Sequence, residues 1–208
     1  MSAALQGSLF DEPGAVGLRP LAPVRRTELG SGAWIDVLPG WLTGAGTLFD
    51  SLVDGVGWQA ERRPMYDRVV DVPRLLRYYK EDEPLPHPIL YTARAALSEH
   101  YAAELGESFR TAGLCYYRDG RDSVAWHGDN LGRGGIEDTM VAIVSVGAPR
   151  ALCLRPKGGG EVIRRALGHG DLIVMGGSCQ RTWEHAIPKT SKPVGPRISI
   201  QFRPRGVR

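Results

Sequence analysis

A chain of 208 residues, 42% hydrophobic and 24% charged, has the length for one domain with a sizeable core and the composition of a soluble globular protein. No apolar run approaches the roughly 18 residues that cross a bilayer, and the opening MSAALQGSLFDEPG has neither a basic start nor an apolar stretch, so we expect no membrane span, no leader and a cytoplasmic location. The formal net charge of +3 is mild, but residues 181–208 hold Arg181, Lys189, Lys192, Arg197, Arg203, Arg205 and Arg208 against Glu184 alone, which suits an anionic ligand or nucleic acid as well as a solvated basic tail.

Residues 1–30 mix Gly, Pro and scattered apolar residues without a period, and read as an arm that is irregular or docked on the body. In PGWLTGAGTLFDSLVDGV, Trp41, Leu42, Leu48, Phe49, Leu52 and Val53 fall near helical spacing, with Thr43 as a possible cap. The segment ERRPMYDRVVDVPRLLRYYKEDEPLP is broken by prolines and suits short strands and exposed loops. A second helix is expected from His87 to Leu105, its stripe made of Ile89, Leu90, Ala93, Leu97, Tyr101 and Leu105, with Gly106 as its stop. After residue 110 the texture becomes a series of short β-like runs separated by Gly, Pro, Asp or Lys. The whole reads as α+β: helices first, then a two-sheet β sandwich or barrel.

Cys115, Cys153 and Cys179 are odd in number and widely spaced, which fits buried free thiols better than a disulfide scaffold or a zinc knuckle. His127 and Asp129 in WHGDN alternate to one side of a strand, or sit at a strand end aimed at one ion, and His185 in RTWEHAIPK follows 56 residues after Asp129. Two imidazoles and one carboxylate bind Fe(II) while leaving positions open for a co-substrate and oxygen; the same donors also hold zinc in hydrolytic sites. The closing RISIQFR decides between them. Arg197 and Arg203 lie on one side of a strand that alternates with Ile198, Ile200 and Phe202, and an arginine turned into an apolar barrel is costly unless an anion meets it. His169 in GHGD suits a tight turn, and His87 and His100 suit the helix surface.

Taken in order, CYYRDGRDSVAWHGD, WEHAIP and RISIQFR make the chain similar to the AlkB family of iron and 2-oxoglutarate dependent dioxygenases, from about Trp34 to Arg203. The resemblance implies a double-stranded β-helix, or jelly roll, over 111–208, with helices and a nucleotide-recognition lid over 31–110 packed on it in one structural domain. It implies Fe(II) held by His127, Asp129 and His185, 2-oxoglutarate held by Tyr117 and Arg197, and Arg203 near both as the second family arginine. Ser199 and Cys115 stand where asparagine is common, and Leu131 stands where many DNA-repair members carry an acid near the damaged base.

The implied reaction uses O2 and 2-oxoglutarate to remove an alkyl group from a nucleic-acid base in DNA or RNA, releasing succinate, carbon dioxide and formaldehyde. A duplex substrate must flip the base out, at a cost of a few kcal/mol that damage partly offsets. Met65, Tyr66, Tyr78 and Trp126 are candidates to stack or wedge, and Arg62, Arg63, Arg68 and Arg74 to meet phosphates. The protein is expected to act as a monomer. Alternatives of other classes are a same-fold dioxygenase acting on a small molecule or protein side chain, which a neutral Leu131 suits, a β-barrel nucleic-acid binding module without catalysis, and a zinc hydrolase, which gives Arg197 no partner.

Overall fold

The computed structural model describes residues 15–65 and 68–207, with backbone alone for 63–65 and 68–71. The elements begin with strands β1 (Gly17–Leu18), β2 (Arg25–Gly30), β3 (Ala33–Leu38) and β4 (Leu42–Thr43), helix α1 (Ala45–Gly55), strands β5 (Gln59–Met65) and β6 (Arg68–Tyr79), and helices α2 (Pro88–His100) and α3 (Ala102–Leu105). Then come β7 (Thr111–Tyr117), β8 (Val124–His127), a 3-10 turn over Arg133–Gly135, β9 (Val141–Gly147), β10 (Arg150–Pro156), β11 (Ile163–Leu167), β12 (Asp171–Gly177), helical turn α4 (Cys179–Thr182), β13 (Trp183–Ile187) and β14 (Arg197–Arg203).

These strands build a large sheet in the order β2-β3-β12-β9-β14-β7-β6-β5 and a small sheet in the order β11-β10-β13-β8, with β1 and β4 paired separately. The sheets face each other as a jelly roll. Ile35, Val141, Ile143, Ile173 and Met175 of the large sheet pack with Leu152, Leu154, Leu167, Trp183 and Ile187 between the layers. On the other side of the large sheet, Val144, Val174, Ile198, Ile200 and Phe202 pack with Leu48, Phe49 and Leu52 of α1 and Leu90, Ala93 and Leu97 of α2. The large sheet takes β2, β3, β5 and β6 from before residue 110.

The first helix starts later than its apolar spacing predicts. Leu42 and Thr43 are drawn into pairing with Leu18 and Gly17, and the Leu42 amide donates to the Gly170 carbonyl at 3.0 Å. Gly44 then turns the chain with φ 62°, and no side chain caps α1, so Thr43 is not its cap. This is a tertiary contact overriding a local pattern. The second helix is divided. His87 Nδ1 accepts from the Ile89 amide at 3.2 Å, Pro88 opens α2, and the helix breaks at Tyr101, whose hydroxyl donates to Asp36 at 3.0 Å. One more turn, α3, ends at Gly106 with φ 71°, where a glycine stop is expected.

The proline-broken segment makes one long hairpin, not short strands and loops. Pro64 lies on β5, the sheet edge, and Pro73 lies where the β5–β6 register shifts between Ala60 and Arg62. Both positions tolerate a missing amide. The Pro73 carbonyl accepts from the Ser123 amide at 2.8 Å, tying the hairpin to the loop before β8. Of the arm, residues 15–30 are docked, with β2 forming the far edge of the large sheet.

Candidate metal centre

β8 and β13 are antiparallel neighbours with His127 opposite His185. Residues of one cross-strand pair share a face, so the register alone brings the two imidazoles together, with ring centroids 4.2 Å apart. Asp129 joins them one turn of chain beyond the end of β8, and the ligand atoms of His127, Asp129 and His185 all lie within 4.8 Å of one another. Gly128 is required between them because a Cβ there would come 2.6 Å from the Gln180 carbonyl oxygen. Gln180 also accepts the Asp129 amide at 2.9 Å through its side chain.

The protonation states of His185 and Asp129 suit ligation. His127 Nδ1 sits 2.8 Å from the Ala125 carbonyl, which only accepts, so Nδ1 is the donor there and Nε2 is the nitrogen turned towards Asp129, 3.9 Å from its Oδ1. Burial, helped by the neighbouring His127, lowers His185 to about 3 and keeps it neutral. Burial alone favours the acid form of Asp129, but Arg203, His185 and His127 outweigh it and hold the carboxyl at about 2. Arg203 Nε donates to Asp129 Oδ2 at 2.8 Å, with the arginine side chain only 13% exposed.

From Arg203 a polar floor runs along the inner face of the large sheet. Strand alternation puts Arg197, Ser199, Gln201 and Arg203 of β14 on one side. Register pairs Arg197 with Tyr117, Ser199 with Cys115 and Gln201 with Gly113. Gln201 Nε2 donates to Ser199 Oγ at 2.9 Å while its carbonyl accepts from Arg203 Nη2 at 3.2 Å. Gly113 leaves the room for this, since a Cβ there would lie 3.0 Å from Arg203 Nη1. At the far end Arg197 is 1% exposed; its Nε donates to Ser145 Oγ at 2.8 Å and its guanidinium carbon lies 5.3 Å from the Tyr117 ring centre. Arg197 Nη1 is buried without a partner. Burial pushes the Tyr117 phenol up to about 12, so it is a neutral donor.

The other expected contacts divide. Tyr78 pairs with Gly113 and lies near enough to Arg203 to interact electrostatically. Trp126 is not brought to the cluster. As the strand neighbour of His127 it faces the opposite side of the small sheet, under the Arg155 guanidinium at 4.2 Å. Arg74 does not reach outwards to phosphates: its Nη1 donates to the Ser123 carbonyl at 3.0 Å and its Nε is buried without a partner. Tyr66 and the side chains of Arg63, Met65 and Arg68 lie outside the described residues. Leu131 is 70% exposed beyond the metal loop. His169 supports a turn, accepting the Gly147 amide at 2.7 Å.

Ser145, Gln201 and Arg150 are site residues that sequence reading passed over. Arg150 is buried and donates to the carbonyls of Asp119, Asp122 and Pro188, with its guanidinium 5.7 Å from the Tyr117 ring centre. The parity of β14 was enough to flag Gln201; nothing local marks the other two.

Two imidazoles and a carboxylate fit Fe(II), and a buried guanidinium with one nitrogen still open fits an acid bound beside it. A family model for the 2OG-Fe(II) oxygenase superfamily matches residues 55–203. The chain is 32% identical over 190 residues to the alpha-ketoglutarate-dependent dioxygenase alkB homolog 3 of Bos taurus, covering 78% of this chain and 64% of that one. The human DNA oxidative demethylase ALKBH2 is 29% identical over 115 residues, covering 51% and 44%. The chain thus spans a little under two thirds of the alkB homolog 3 relatives, 63% for that of Mus musculus. Among solved structures, that of OsALKBH1 shares the fold with a TM-score of 0.57 at 15% identity, covering 86% of this chain and 100% of that one. With its jelly roll, its metal triad and these likenesses in agreement, the chain belongs to the 2OG-Fe(II) oxygenase superfamily and, within it, to the AlkB family.

Proposed function

We propose that this protein is an oxidative dealkylase of nucleic-acid bases, using Fe(II), 2-oxoglutarate and O2. The observation that carries it is the convergence of His127, Asp129 and His185 at one end of a polar floor whose other end is the buried, half-satisfied Arg197. The names of the alkB homolog 3 and ALKBH2 relatives support the same chemistry.

In this reading His127, Asp129 and His185 hold the metal, and Arg197 with the neutral Tyr117 phenol holds the distal carboxylate of 2-oxoglutarate. Bound iron and 2-oxoglutarate supply the oxidation, in which O2 and the oxo acid yield succinate, carbon dioxide and one oxygen atom for the alkyl carbon. The hydroxylated carbon then leaves its base nitrogen as formaldehyde. Arg203 keeps Asp129 ionised and fixed, and Gln201 and Ser199 keep Arg203 in place. Tyr78 lies on the metal side of the floor, placed to stack on a flipped base. Leu131 presents no charge at the rim, which favours lesions that are neutral once extruded. Its buried thiols suit a reducing, cytoplasmic compartment.

The test is 2-oxoglutarate turnover with methylated and etheno-adducted oligonucleotides, single- and double-stranded. Formaldehyde released in step with succinate, and lost in His185→Ala, is the expected result. Succinate formed equally with every oligonucleotide, modified or not, and no formaldehyde would reject the nucleic-acid substrate while leaving the oxygenase chemistry standing.

A further inference from the structure

Arg74 belongs to the hairpin strand β6, yet its guanidinium is turned into the sandwich. Leu75 pairs with Tyr116 and Leu76 with Cys115, which sets Arg74 beside Tyr117; on the other side of Tyr117 stands its β14 partner, Arg197. One row of the inner face therefore reads arginine, tyrosine, arginine across three strands. Each guanidinium is half-used. Arg74 Nη1 is taken by the Ser123 carbonyl at 3.0 Å and Arg197 Nε by Ser145 Oγ at 2.8 Å. That leaves Arg74 Nε and Arg197 Nη1 buried with no partner.

Two buried donors left open in one row are costly, the more so because both groups are charged. For Arg197 burial dominates, whereas the groups around Arg74 hold it charged. Tyr117 is a neutral phenol, and the groups acting most strongly on Arg74 after burial itself are Cys115 and Tyr117, with Glu61 of β5 weaker. A carboxylate has two oxygens, one acceptor for each open donor.

We propose that Arg74 is a second co-substrate arginine, which flanks Tyr117 opposite Arg197 and shares the distal carboxylate of the oxo acid with it. The inference rests on the dioxygenase reading. It assigns Arg74 to the co-substrate and not to nucleic-acid phosphate, and it makes selectivity for a dicarboxylic over a monocarboxylic oxo acid depend on a residue of the β5–β6 hairpin.

The experiment is calorimetric titration of the full chain loaded with Mn(II), comparing 2-oxoglutarate with 2-oxopentanoate, which has the same number of carbons and a methyl in place of the distal carboxylate. Arg74→Met should weaken 2-oxoglutarate about tenfold, the loss of one charge-assisted contact, and leave 2-oxopentanoate unchanged. Arg74→Lys, which keeps the charge, should retain most of the preference. Equal weakening of both acids would mean that Arg74 only supports the fold and would overturn the proposal. So would an unchanged preference, with or without weaker oligonucleotide binding. If the wild-type protein binds neither acid, the dioxygenase reading falls and takes this inference with it, an outcome distinct from an unaltered preference in a protein that binds 2-oxoglutarate.

Discussion

On β14, Ile198, Ile200 and Phe202 turn towards the helices, while Arg197, Ser199, Gln201 and Arg203 turn towards the small sheet. The same alternation runs through β7, where Leu114 and Tyr116 face one way and Cys115 and Tyr117 the other. The helix side is apolar and closed, so each side chain there adds to stability by burial. The inner side gives up part of that gain. Arg203 is compensated by Asp129, but Arg197 has only a hydroxyl and an aromatic face, and on the proposed reading a bound acid would complete its contacts. A single strand thus fixes the fold with its even-numbered residues and the chemistry with its odd-numbered ones.

The largest expected effect breaks the inner face. Asp129→Ala should reduce turnover about a thousandfold or more by loss of metal, and should also destabilise the apoprotein by roughly 3 kcal/mol because Arg203 is left buried and unpaired; metal content and a denaturant titration check the two parts. Phe202→Ala attacks the other face and should cost about 3–5 kcal/mol of stability, while the fraction that stays folded keeps its affinity for 2-oxoglutarate within about twofold. A matching loss of affinity would show that the two faces are not separable.

Ligand should stabilise through the inner face alone. At a hundred times its Kd, 2-oxoglutarate should add about 2.7 kcal/mol, seen as a rise in Tm that Arg197→Met removes. Gly113→Ala is milder: its methyl would press on Arg203 Nη1 at 3.0 Å and Gln201 Oε1 at 3.2 Å, costing about 1 kcal/mol and about fivefold in turnover. Smallest is the effect of pH on Cys179, whose thiol burial pushes up to about 12. It stays protonated in the folded state, so at pH 8 it should resist alkylation until the protein is unfolded. Its contribution to stability is fully present below its unfolded value of 9.0 and declines as pH rises from there towards 12.

Much of the site was legible because it depends on strand parity and on residue types that few other roles explain. His127, Asp129 and His185 meet as expected, and Arg197 and Arg203 share a side. Parity also held the answer for Trp126, which as the neighbour of His127 had to face away. Arg74 was less readable, since the register shift beside Pro73 decides which way it points, and a bulge leaves little trace in sequence. The arm was illegible for another reason: β2, RRTELG, is exposed along almost its whole length and has no apolar period to announce it. Trp41 to Thr43 looked helical because the partners that make β4 a strand, Gly17 and Leu18, lie far back in the chain.

The close fit of Gly128 against the Gln180 carbonyl has a bearing on how the ion is captured. The backbone of α4 rests directly on the metal loop, and α4 runs without a break into β13, which carries His185. Main-chain packing therefore helps hold the three donors together, and part of the entropy of closing the long loop between the second and third donors is spent during folding. A change that disturbs this packing, away from any donor, should therefore weaken metal binding.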